Sequence, residues 1–135
     1  MSGKLEFTTL NSFDSVADSS RQLECFASKN ALHPRKTYQL ELVYEELMTN
    51  VVKYSYPDSA EHRIRVILEN TGDTIVFTII HDGTDSNPWT QADPDLTTPL
   101  EDRQEGGIGI LLCRKFSRSV SYERRDGKSI ISVEI

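Results

Sequence analysis

Apolar side chains recur at Leu40, Val43, Leu47, Val51 and Tyr54, the i, i+3, i+4 spacing of a single helical face. That stripe predicts a helix starting near Arg35 and running to about Ser55. Upstream, Lys4–Thr8 alternates as a short strand does. Asn11 or Ser12 can cap a first helix with Leu10 as its hydrophobic staple, and Phe13, Val16, Ala17, Ser20, Leu23 and Ala27 mark its expected buried side. The run from Asn30 to Pro34 breaks it. Downstream, Ile64, Val66 and Leu68 alternate with Arg63, Arg65 and Glu69, a turn follows at Asn70 to Asp73, and Thr74–Ile80 reads as a central strand. From Thr84 to Glu105 the periodicity disappears, with Pro88, Pro94 and Pro99 scattered among acidic residues. Then Gly106-Gly107-Ile108-Gly109 leads into an apolar helix, and two alternating runs flank Asp126-Gly127 as a hairpin. The predicted order is β-α-α-β-β-lid-α-β-β, with too few crossovers for a doubly wound parallel sheet. The expectation is an α+β two-layer sandwich, with helices on one face of a mixed, mainly antiparallel sheet.

The length of 135 residues, 37% hydrophobic and 27% charged, fits a single domain over residues 1–135. No apolar run is long enough to span a membrane, and the first residues lack a signal-peptide core, so the expected location is cytoplasmic. Cys25 and Cys113 lack metal-ligand spacing and are expected as buried, reduced thiols. The net charge of −6, with scattered basic residues, argues against a nucleic-acid partner. A phosphate chain could still be held locally, by backbone N–H groups, a divalent ion and a few cations.

Glu46 and Asn50 lie one turn apart at the shoulder of the apolar stripe. The pair offers one group to take a proton and another to ligate a hard cation. By itself such a pair is more often the border of an ordinary amphipathic helix. The glycine cluster brings backbone N–H groups close to an anion, although a tight loop would use the same residues. It is neither a Walker A loop, since no Gly-Lys-Ser/Thr follows, nor a Rossmann turn, since no strand leads directly into it. His33 reads as a loop residue, His62 as an exposed strand opener, Trp89 as a residue able to anchor the lid, and Phe77 and Tyr122 as core.

A helical Glu-x-x-x-Asn, a strand ending in a glycine turn, a long lid and Gly-Gly-x-Gly, in that order, resemble the GHKL ATPases of the Bergerat fold. Within them the likeness is greatest to the small anti-sigma-factor serine kinases of the RsbW and SpoIIAB type. Glu45 to Tyr54 looks like the family's N box, and Ile108 to Phe116 with the closing hairpin looks like its last glycine box. The resemblance implies ATP and Mg²⁺ as cofactors. It makes Asn50 the residue that helps hold Mg²⁺, and Glu46 the base that orients or deprotonates the nucleophile. Gly106, Gly107, Ile108 and Gly109 would cradle phosphates, Lys53 and Arg103 would reach them, and residues 84–105 would form an ATP lid. The implied activity is a protein serine/threonine kinase that phosphorylates a STAS-type anti-sigma-factor antagonist. A sigma factor is a second, mutually exclusive partner, and a homodimer is a further arrangement.

At the end of the central strand the family has Asp-x-Gly, whose Asp accepts from the adenine amino group. Here His81-Asp82-Gly83 places histidine at that register, Asp82 on the opposite face, and Asp85 in place of the second glycine. The sequence expectation is that neutral His81 accepts the same hydrogen bond through a ring nitrogen, with Asp82 and Gly83 completing the base site. Two other readings compete: a nucleotide-weak module that sequesters a regulatory partner without catalysis, and a detached histidine-kinase catalytic module. No phospho-accepting histidine helix is read ahead of the domain, so the last would need a separate chain.

Overall fold

A computed structural model describes residues 3–90 and 107–135. Five strands, β1 (Gly3–Leu10), β2 (Arg63–Asn70), β3 (Ile75–His81), β4 (Ser119–Arg125) and β5 (Lys128–Glu134), form one sheet in the order β1-β2-β3-β5-β4. All four pairings are antiparallel. Helices α1 (Phe13–Ser19), α2 (Arg21–Lys29), α3 (Pro34–Tyr54) and α4 (Gly107–Phe116) supply the second layer.

Alternation decides which strand residues meet the helices. In β3, Ile75, Phe77, Ile79 and His81 are buried while Val76, Thr78 and Ile80 are only partly covered. The core joins these residues to Leu40, Val43, Leu47, Met48 and Val51 of α3, to Val16, Leu23 and Phe26 of α1 and α2, and to Ile110 and Cys113 of α4. Tyr44 packs edge-on against Phe77, with centroids 6.2 Å apart, and donates its hydroxyl hydrogen to Val16 O at 2.8 Å. Burial pushes the Tyr44 phenol up to about 12.

The buried face of α3 is rotated slightly from the predicted stripe. Tyr44 and Met48 are enclosed, whereas Tyr54 is 51% exposed in the last turn, where the helix runs past the core. The predicted first helix is two, broken at Ser20, whose N–H and hydroxyl both donate to Ala17 O. The break leaves Phe13 exposed and turns Phe26 inward. Cys25 also lies on the solvent side of α2, so one of the two thiols expected to be buried is exposed. His33 is a helix cap rather than a plain loop residue. Its Nδ1 accepts from Arg35 N–H at 3.1 Å, closing the start of α3 ahead of Pro34.

Candidate nucleotide site

The middle and the C-terminal end of α3 meet the rest of the predicted site. At mid-helix, Glu46 faces α4. A methyl group built at Gly109 would overlap the Glu46 carboxylate, so glycine here is what lets the two helices close over that side chain. Cys113, one turn beyond Gly109, lies on the same face. Its thiol is pushed up to about 12 by burial and then by the Glu46 charge. The Glu46 carboxyl is itself raised, chiefly by burial and further by Glu45. A partly desolvated carboxylate of this kind is a better proton acceptor near neutral pH than one in water.

Asn50 follows one turn later, partly buried, and Lys53 lies exposed in the last turn, its Nζ 5.5 Å from the Tyr54 ring centroid. Glu46, Asn50 and Lys53 therefore form a line along one side of α3. Gly107, Ile108 and Gly109 open α4, so the first-turn N–H groups that lack helical carbonyls lie at the Glu46 end of that line. Gly106 and Arg103 fall outside the described residues, as does the lid from 91 to 105. Within the segment expected as a lid, Pro88–Thr90 form a 3₁₀ turn, held to the sheet edge by the Trp89 indole N–H, which donates to Ser121 O at 2.9 Å. Trp89 thus anchors the start of the segment.

The other end lies about 13 Å farther along the helix axis, at 1.5 Å per residue. There Thr84 N–H donates to Ser55 O at 2.8 Å, and a Cβ at Gly83 would come within 2.5 Å of that same carbonyl. His81 is 2% exposed and faces the helix layer, paired across the sheet with Ser129. Its Nδ1 accepts from Gly83 N–H at 3.0 Å, while Nε2 is buried without a hydrogen-bond partner among the described residues. An unsatisfied buried donor costs roughly 1–3 kcal/mol, a cost that a ligand atom could offset. Burial, helped by the Arg124 charge and opposed by Asp82, lowers the His81 pKa to about 4, so the ring is neutral at pH 7.

This corrects one expectation. The ring nitrogen that could accept is already used by Gly83, so His81 has a donor to offer and no acceptor. Asp82 follows the alternation, turning its carboxylate outward to His62 Nδ1 at 3.3 Å. His62 is thereby held between two carboxylates rather than simply exposed: its Nε2 meets Asp58 at 2.9 Å and its ring stacks on Tyr56 with centroids 4.6 Å apart. Tyr56 in turn stands edge-on to His81 at 6.1 Å.

Four residues beside His81 are not marked as site residues by the sequence. Arg124 Nη1 donates to Gly83 O at 2.7 Å and to Ser129 Oγ at 2.8 Å. Ser129 Oγ lies 3.0 Å from the Tyr122 hydroxyl, which donates to Asp85. Strand register brings them together, since Arg124 pairs with Ser129 and Ser129 with His81. Asp85 is marked in the sequence only as a replaced glycine, and nothing in the local sequence singles out the other three.

A line of partly buried carboxylate and carboxamide with an exposed lysine, a glycine-opened helix at one end and a polar strand end at the other can position an extended anion with a recognised head group. Residues 11–135 match the histidine kinase-like ATPase domain. The chain belongs to that family. Among its relatives, the serine/threonine-protein kinase BtrW of Bordetella bronchiseptica is 30% identical over 128 residues, covering 94% of this chain and 90% of that protein. Two solved structures share the fold. One contains the RsbU and RsbW domains of a Mycobacterium tuberculosis protein, with a TM-score of 0.65 at 10% identity over 98% of this chain and 32% of that one. The other is the SiaB-SiaC complex of Pseudomonas aeruginosa, with a TM-score of 0.58 at 17% identity over 96% and 88% of the two chains. As a histidine kinase-like ATPase domain, the chain carries the ATP-binding fold expected from its N box and glycines. No described helix is long and apolar enough to cross a membrane.

Proposed function

We propose that this chain is an ATP-dependent protein serine/threonine kinase of the anti-sigma-factor type, whose substrate is a STAS-type antagonist. The observation that carries the reading is the Glu46 carboxylate, raised in pKa and enclosed by Gly109 at the start of α4. BtrW is named a serine/threonine kinase, and the SiaB structure holds a second protein, SiaC, which supports a protein substrate for this chain as well.

The residues present fit a Mg²⁺–ATP group. Asn50 would help hold the metal, the α4 N-terminus with Gly107 and Gly109 would hold phosphate oxygens, and the buried His81 N–H would meet the base. Bound Mg²⁺–ATP supplies the phosphoryl group, with its charge partly neutralised by the metal. Glu46 takes the proton of the incoming serine or threonine hydroxyl and orients its oxygen. Lys53, and Arg103 from the lid, add positive charge along the phosphate path. Trp89 ties the segment read as a lid to β4 through its indole N–H.

Glu46→Gln separates the roles. It should leave ATP affinity within about threefold and lower transfer to a serine-bearing partner by at least the ~10²-fold typical of a lost general base. Loss of both would make Glu46 structural. The competing sequestering module draws its support from the missing acceptor at His81, and predicts partner binding that does not respond to nucleotide.

A further inference from the structure

Between α1–α2 and α3 lies a groove of about 450 Å³ that the nucleotide reading does not use. Its floor is Val16, Leu23 and Tyr44, all nearly enclosed, and the Tyr44 hydroxyl is already spent on Val16 O. One wall is α1, where Phe13 and Ala17 stand one turn apart and exposed, Phe13 at 54%. Glu24 of α2 and Glu41 and Glu45 of α3 form the rim, and among the described residues no lysine or arginine lines the groove.

The rim charge is uncompensated. Glu24, Glu41 and Glu45 make no ion pair among the described residues. Glu41 and Glu45 lie four apart on α3, where like charges destabilise a helix. Thr49, one turn farther along that flank, gives its hydroxyl hydrogen to the carbonyls of Glu45 and Glu46 and so leaves the carboxylates unserved. An apolar floor, an exposed aromatic wall and a polar rim together mark an interaction surface.

The charge selects the occupant. Nucleic acid and anionic lipid are repelled by this rim, and a second copy seated through the same face would set carboxylate against carboxylate. A segment with apolar anchors flanked by arginine or lysine fits it: the anchors meet the floor, the cations meet the rim, and a guanidinium can also stack on the Phe13 ring. We propose that this groove docks a basic amphipathic segment of a partner protein. The inference does not depend on nucleotide binding and stands or falls apart from it.

A dye-labelled helical peptide of leucine and arginine is the probe, with a leucine–glutamate peptide as its counterpart and fluorescence anisotropy at physiological salt as the readout. The wild-type chain should bind the basic peptide and not the acidic one. Glu41→Lys combined with Glu45→Lys should weaken binding by about tenfold or more. Glu69→Lys combined with Asp73→Lys changes the net charge equally, at exposed positions on β2 and the turn after it, and should leave binding within about twofold. Phe13→Ser, on the opposite wall, should weaken it by about fivefold or more. No binding to the folded wild-type chain, or an equal loss in the two charge-reversed variants, overturns the inference. So does a dimer seen by sedimentation that Phe13→Ser dissociates, because the groove would then belong to a second copy. The variant of either wall decides the question if that of the other does not fold.

Discussion

Two glycines near the site have opposite tolerances for a methyl group, and the difference lies in what the methyl would strike. At Gly109 it meets the carboxylate end of Glu46, which can swing away. At Gly83 it meets the Ser55 carbonyl at 2.5 Å and Ser55 Cβ at 2.8 Å, in a segment tied to Ser55 O by Thr84 N–H. Gly109→Ala should therefore change stability by less than about 1 kcal/mol, since alanine's helix preference offsets the crowding. The same variant should lose phosphoryl transfer, because the base is displaced. Gly83→Ala should cost about 1–3 kcal/mol, the usual penalty of an overpacked site that cannot relax. Urea denaturation with a transfer assay on each variant checks both, and a Gly109→Ala enzyme of normal activity would remove the contact from the mechanism. The glycine at 109 was legible in the sequence as part of a cluster. Its partner was not, since only the packing of α4 on α3 shows that Glu46 is the group it admits.

At the level of elements, His62 ties the loop after α3 to the end of β3. Both ring nitrogens face carboxylates, Nε2 toward Asp58 and Nδ1 toward Asp82, an arrangement that both can satisfy as donors only when the ring is protonated. The hydrogen bond to Asp58 raises the His62 pKa above its ordinary 6.5, and the same bond lowers that of Asp58. The raised histidine contributes stability that is complete below pH 6.5 and lost as pH rises through its folded pKa. The lowered Asp58 contributes stability that is present above its unfolded pKa and lost as pH falls through the folded one. Thermal melts should accordingly show an alkaline decline that begins just above pH 6.5 and is absent in His62→Asn. An identical decline in that variant would assign it to other groups. Alternation in β2 was readable because the period of two is unmistakable in Ile64, Val66 and Leu68. The break at Ser20 was not, because Phe13, Val16 and Ala17 continue into Leu23 and Ala27 with helical spacing, and only the burial of Phe26 shows that the second helix has its own face.

For the whole molecule, the antiparallel sheet with a helical layer on one side sets the proposed base and phosphate ends of the site along a single helix. Glu46, Asn50 and Lys53 span the distance from the α4 N-terminus toward the end of β3. The fold, the N box and the glycine opening of α4 were all present in the sequence because each is local. The network of Arg124, Ser129, Tyr122 and Asp85 was invisible because its members come from three segments aligned only by strand register. The claim that most depends on this arrangement is metal-assisted nucleotide binding. Calorimetry of the wild-type chain with ATP, with and without Mg²⁺, tests it directly. Binding should strengthen when Mg²⁺ is present and lose that enhancement in Asn50→Ala. A folded wild-type protein that gives no binding heat at millimolar ATP, with Mg²⁺ or without, would contradict it.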